Sequence, residues 1–196
     1  FYLAICIQDT EGDIRIDDLY TPQERALIWE QINKHRYALY GPSTRWGDVI
    51  LGDGANLVRE IVRDADDIVA AAAEGRTPRT AFLRFGHDYT VISALAAMQV
   101  VGRSARVEDF DTLKEQWADF QITPMATNLQ WIFYRNKSGD VLIKMLLNEE
   151  EIAFPAAIDS DMAPYYRWED VRTFYRELIP QMYEIGGYNR LEKLLD

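Results

Sequence analysis

The stretch Ala81–Gly102, AFLRFGHDYTVISALAAMQVVG, constrains the fold of this chain more than any other. Ala81–Phe85 is a short apolar run that predicts a buried strand. Gly86 breaks the run, His87 and Asp88 follow, and helical spacing predicts a helix over Tyr89–Val101, closed by Gly102. A histidine and an acid are thereby expected at the tip of a strand and the N-terminus of a helix. Free backbone N–H groups and the helix dipole favour an anion there. The crevice of an open α/β sheet also lies at that end of its strands. The combination of histidine, acid and anion-binding backbone points to phosphate chemistry. The plainer reading is a strand-to-helix turn with Asp88 as N-cap, worth roughly 1 kcal/mol, and spacing alone favours it. Arg84 adds positive charge two residues upstream of Gly86, and a core histidine is not needed at such a tip.

Around this junction the chain reads as helices first and strands later. Phe1–Gln8 is apolar and ambiguous, leaning to helix, and Asp9–Tyr20 is a polar connector. Thr21-Pro22-Gln23-Glu24 is a helix start: Thr21 caps, Pro22 suits the first position, and Glu24 completes a capping box. That helix runs to about Tyr40 and stops at Gly41-Pro42. A second helix is predicted over Asn56–Glu74, where Leu57, Ile61, Ala65, Ile68 and Ala72 share one face. A short acidic helix is expected within Glu108–Phe120. Leu129–Arg135 and Val141–Leu147 read as strands joined by the hairpin loop Asn136–Asp140. A last helix covers Trp168–Tyr183, with Pro180 weakening its final turn. Three strands make a small sheet for so many helices.

The chain has 196 residues and a formal net charge of −11. An acidic surface repels nucleic acid and anionic membrane, so neither is an expected partner, and a phosphate site must be a local positive island. One cysteine, Cys6, excludes an intrachain disulfide and a cysteine-based zinc site. No stretch is apolar and long enough to span a membrane. The sequence lacks H-E-x-x-H, EF-hand, P-loop and G-x-S-x-G signatures, Gly52-Asp53-Gly54 is not a dinucleotide fingerprint, and no metal or cofactor is expected. Of two histidines, His35 lies in a polar helical run and reads as surface, which leaves His87. Glu149–Glu151 reads as a solvated turn. Trp131–Tyr134 and Pro164–Trp168 read as core and docking surface.

Leu83-Arg84-Phe85-Gly86-His87-Asp88 resembles the second signature of the histidine acid phosphatases, branch 2 of the histidine phosphatase superfamily. Leu39-Tyr40-Gly41-Pro42-Ser43 is similar to a Y-x-x-Y-G-P-S segment ahead of it. Trp117–Phe120, Pro124–Gln130, Phe133–Arg135, Leu146–Glu149 and Pro164–Trp168 resemble later segments in the same order, so the likeness spans about Thr21 to Leu178. It lies nearest to bacterial relatives of multiple inositol polyphosphate phosphatase, which act on phytate. Some of those carry His-Ala-Glu where this chain has His87-Asp88-Tyr89, the shorter form that resembles general acid phosphatases and many phytases.

The resemblance implies phosphomonoester hydrolysis through a phosphohistidine. His87 would bind the transferring phosphoryl group, and Asp88 would protonate the leaving alkoxide. Arg84 is a further candidate substrate-binding residue. The nucleophile of the family sits in an R-H-G-x-R-x-P motif, which this sequence does not contain. The chain also begins with Phe1, so it is expected to be the C-terminal portion of a two-domain α/β enzyme. Residues 1–78 would then be a helical cap segment, and residues 79–196 part of a mixed α/β sheet domain. The expected partners are a small phosphomonoester and the N-terminal portion of the same enzyme, the location periplasmic or secreted. An exposed apolar sheet edge should mark where further strands belong. The rival expectation is a non-catalytic fragment or member that binds a phosphorylated ligand or partner.

Overall fold

The computed structural model describes residues 19–43, 48–76 and 81–185; Cys6, the Phe1–Gln8 segment and most of the following connector lie outside the described residues. Helix α1 (Pro22–Tyr40) starts at the expected capping box. The Thr21 hydroxyl accepts the Glu24 N–H at 3.2 Å, and the Glu24 carboxylate accepts the Thr21 N–H at 2.8 Å. Hydrogen bonds from the Thr21 backbone and side chain hold the Glu24 carboxyl below its ordinary pKa. Its buried residues are Asn33 and Tyr37. The Tyr37 phenol accepts the Val107 N–H at 2.6 Å and donates to the Ala105 carbonyl at 3.1 Å. Phe110 and Trp117 pack edge-on to its ring, and burial pushes its pKa up.

Helix α2 (Asp48–Ala73) begins ahead of the expected Asn56, because Gly52-Asp53-Gly54 does not break it. Gly54 lies where α2 crosses the next helix, α3 (Asp88–Ala97). A Cβ at that position would come within 2.2 Å of the Ser93 carbonyl oxygen and 3.0 Å of the Ala97 Cβ. The glycine therefore serves a close helix crossing rather than a turn. Helix α3 ends short of the expected Val101, where Gln99 takes a left-handed φ of 55°. The apolar residues that follow still bury Met98 and Val100. Two one-turn helices, α4 (Leu113–Gln116) and α5 (Asp119–Ile122), replace the single acidic helix expected within Glu108–Phe120.

The hairpin matches its sequence reading residue for residue. Strands β1 (Leu129–Arg135) and β2 (Val141–Leu147) pair antiparallel, with Trp131 opposite Met145 and Phe133 opposite Ile143. Two further strands went unread in the sequence. Strand β3 (Glu150–Ile152) folds back on β2 through Asn148 and Glu149, both at positive φ. The acidic run is thus partly strand, not only a solvated turn, and Glu151 pairs with Lys144 at 2.8 Å. Strand β4 (Tyr166–Arg167) also pairs with β2 and leads directly into helix α6 (Trp168–Ile185). The sheet is wholly antiparallel among the described residues, and β1 forms an edge with β2 as its sole partner there.

Alternate residues of β2, Ile143, Met145 and Leu147, are buried in the cluster that also holds Val171, Tyr175 and Leu178 of α6. Trp131 stacks on Tyr175 at 5.7 Å and meets Phe154 edge-on at 5.5 Å. Tyr175 donates to the Met98 carbonyl at 3.2 Å, which joins the sheet core to the end of α3, and complete burial pushes its pKa up. One buried apolar cluster runs from Val58, Val62 and Ala65 of α2 through α3 to this aromatic layer.

Ala81–Phe85 is not a strand. Residues 81–87 carry no regular structure, and Leu83 and Phe85 are 77% and 93% exposed. The apolar run predicted burial, but a strand forms only where a neighbour completes its hydrogen-bond ladder. None among the described residues does so here. Gly86 leaves room for a Cβ, with Thr90 no nearer than 3.8 Å.

Candidate active site

Extended backbone at His87 (φ −89°, ψ 159°) delivers the chain into α3. His87, not Asp88, occupies the N-cap position, and its side chain makes no capping hydrogen bond. Its carbonyl accepts the Thr90 N–H at 3.1 Å, which closes the first turn. The imidazole is exposed and stacks on Tyr89 at 4.9 Å with planes 15° apart. Tyr89 stacks in turn on Tyr40, the last residue of α1, also at 4.9 Å. His87 is thus the outer member of a three-ring stack anchored on another helix.

Asp88 is the first residue of α3, where a negative charge suits the helix dipole. Its Oδ1 accepts the Tyr89 N–H at 2.9 Å, and its Oδ2 accepts from Arg36 Nη1 at 2.5 Å. The side chain is 31% exposed. Arg36 Nε lies 3.4 Å from Asp119 Oδ2, and one guanidinium thereby sits between two carboxylates.

The structure brings His87 and Asp88 together with Arg36, Tyr40 and Tyr89. Arg84 goes elsewhere: its guanidinium pairs with Asp64 on α2. The positive charge near the junction is therefore matched by carboxylates rather than presented as a bare island. His35 is exposed on α1, as read from the sequence. Among the described residues no cluster of three or more histidine, cysteine, aspartate or glutamate side chains could hold a metal ion, and no helix is long and apolar enough to cross a membrane.

Sequence reasoning missed Arg36, Asp119 and the Tyr40–Tyr89 stack. The contact from Arg36 to Asp88 spans 52 residues of chain. A signal was present in α1, because Trp29, Asn33, Arg36 and Tyr40 recur at helical spacing and share one face.

A sequence model of the histidine phosphatase superfamily (branch 2) matches residues 2–148. The chain belongs to this family. The match runs from ahead of α1 to the end of β2 and contains the whole His87–Asp88 junction, while β3, β4 and α6 lie beyond it. No curated protein matches the chain. Membership in the histidine phosphatases gives the chain phosphatase-type hydrolysis as its general class of chemistry, on an α/β fold.

Proposed function

We propose that His87 and Asp88 are the phosphate-binding and proton-transfer pair of a phosphomonoesterase, with inositol polyphosphates or other small phosphomonoesters as substrates. The observation that carries this reading is the exposed, uncapped His87 beside a part-exposed Asp88 at the N-terminus of a ten-residue helix, inside the family match. Such a terminus presents a favourable dipole to phosphoryl oxygens.

The reaction needs a nucleophilic histidine from outside these 196 residues, because the sequence has no R-H-G-x-R-x-P. That imidazole attacks phosphorus, a P–N bond forms, and the P–O ester bond breaks. The departing alkoxide takes the proton of Asp88, since an alcohol leaves poorly as an anion. Water then attacks phosphorus, its proton passes to the Asp88 carboxylate, and the P–N bond breaks to release phosphate. His87 donates to a phosphoryl oxygen, where charge accumulates. The 196-residue chain alone binds phosphate weakly and does not turn over.

Two measurements test this. The pure chain should release no p-nitrophenol from p-nitrophenyl phosphate, and turnover would overturn the division of roles. In the full-length gene product, Asp88→Asn should lower kcat/KM for inositol phosphates by about 100-fold or more, and much less for p-nitrophenyl phosphate, whose leaving group needs no proton. Equal losses would remove Asp88 as the acid. The missing nucleophile motif favours a second reading, a non-catalytic member that binds a phosphorylated ligand, and an inactive full-length product that still binds inorganic phosphate would support it.

A further inference from the structure

We infer that Arg36 of α1 is a positioning residue for Asp88, held in place by the buried Asp119; its consequence for turnover rests on the reading of Asp88 as the acid. Three carboxylate and guanidinium groups form a graded relay from core to surface. Asp119 is the deepest member, with its side chain 9% exposed, Arg36 is 18% exposed, and Asp88 is the most open. Asp119 has its own fixed frame. Its Oδ1 accepts from Trp29 Nε1 at 3.0 Å and from the Phe120 N–H at 2.8 Å. Its backbone N–H donates to Asn33 Oδ1 at 2.8 Å, while Asn33 Nδ2 donates to the Trp117 carbonyl at 3.0 Å.

Trp29, Asn33 and Arg36 lie one turn apart on α1, so a single helix face grips Asp119 and then passes the guanidinium onward. A guanidinium is planar and presents several donors in a fixed fork, which lets Nε face Asp119 while Nη1 faces Asp88. An ammonium would serve as a point charge with no such fork. The relay is not required simply to join the two helices. Ser93 Oγ already donates to the Tyr40 carbonyl at 3.2 Å, and Tyr40 already stacks on Tyr89. What Arg36 adds is a fixed direction for one carboxylate oxygen at the start of α3, with the Tyr89 N–H holding the other oxygen. Preset carboxyl geometry matters because a proton donor works only within hydrogen-bond reach of the departing oxygen.

The positioning role and its catalytic consequence separate in two measurements. In the 196-residue chain, three-bond NMR couplings about the Asp88 χ1 bond should report one staggered state. Arg36→Met should average them over several wells, and Arg36→Lys should average them partly. Unchanged couplings in both variants overturn the positioning role, whatever the reaction. In the full-length gene product, Arg36→Met should lower kcat/KM for an inositol phosphate by about tenfold to 100-fold, and for p-nitrophenyl phosphate by a few-fold at most. Arg36→Lys should fall between Arg36→Met and the wild type. An equal loss on both substrates overturns the catalytic consequence, provided Asp88→Asn discriminates between them. If Asp88→Asn fails to discriminate, it is the acid assignment that falls, and the couplings still decide on Arg36. Should Arg36→Met unfold the chain by circular dichroism, Arg36→Lys and Asp119→Asn carry both measurements, with the same expected direction at smaller size.

Discussion

Two apolar stretches of similar appearance meet opposite fates in this molecule. Leu129–Arg135 becomes β1, with Trp131 and Phe133 drawn against Phe154, Trp168 and Tyr175. Ala81–Phe85 stays irregular, with Leu83 and Phe85 in solvent. The difference is partnership. The loop Asn136–Asp140 returns β2 to the side of β1 within a few residues, so the ladder closes at small entropic cost. Ala81–Phe85 has no such local return, and none of the described strands reaches it. An apolar run supplies the wish for burial. A neighbouring backbone decides whether that wish becomes a strand.

The comparison can be tested by substitution, the largest effect coming from the packed region. Trp168 is buried at the join of β4 and α6 and meets Phe133 edge-on at 5.2 Å. Trp168→Ala should cost about 3–5 kcal/mol in urea unfolding; a cost below about 1 kcal/mol would mean that this layer is not the stability core. Next comes the helix crossing. Gly54→Ala forces a methyl against the Ser93 carbonyl and should destabilise by about 1–3 kcal/mol in the same assay. A stabilised variant would show that α2 and α3 lie farther apart. The smallest effect belongs to the exposed segment. Phe85→Ser should change stability by no more than about 0.5 kcal/mol. A loss well above that would show that the segment packs against something in solution, and would erase the contrast with β1.

The fold was legible where a local signal needed no distant partner. The Thr21–Glu24 capping box placed the start of α1, and two short apolar runs around a turn-rich loop placed both strands of the hairpin at their observed ends. It was illegible where one element answers to another. Nothing local assigns Gly54 a role, which becomes visible only where α3 crosses α2. Strand β3 hides in an acidic run because edge position and the Lys144–Glu151 pair, not hydrophobicity, accommodate its side chains. Tyr166-Arg167 is too short for any periodicity to reveal β4. The candidate site divides the same way. His87 and Asp88 stand out as neighbours in sequence at a helix start, whereas Arg36 and Asp119 reach them across loops and helices, where no local pattern records the contact.

By itself, then, the sequence determined the starts of α1 and α6, the hairpin and the pairing of His87 with Asp88 at a helix start, because capping, short apolar runs and turn chemistry act over a few residues. Only the tertiary structure decided that Ala81–Phe85 would lack a ladder, that Gly54 would mark a crossing, and that one arginine would stand between two carboxylates. Those outcomes depend on which distant backbone or charge arrives alongside, and packing alone sets that.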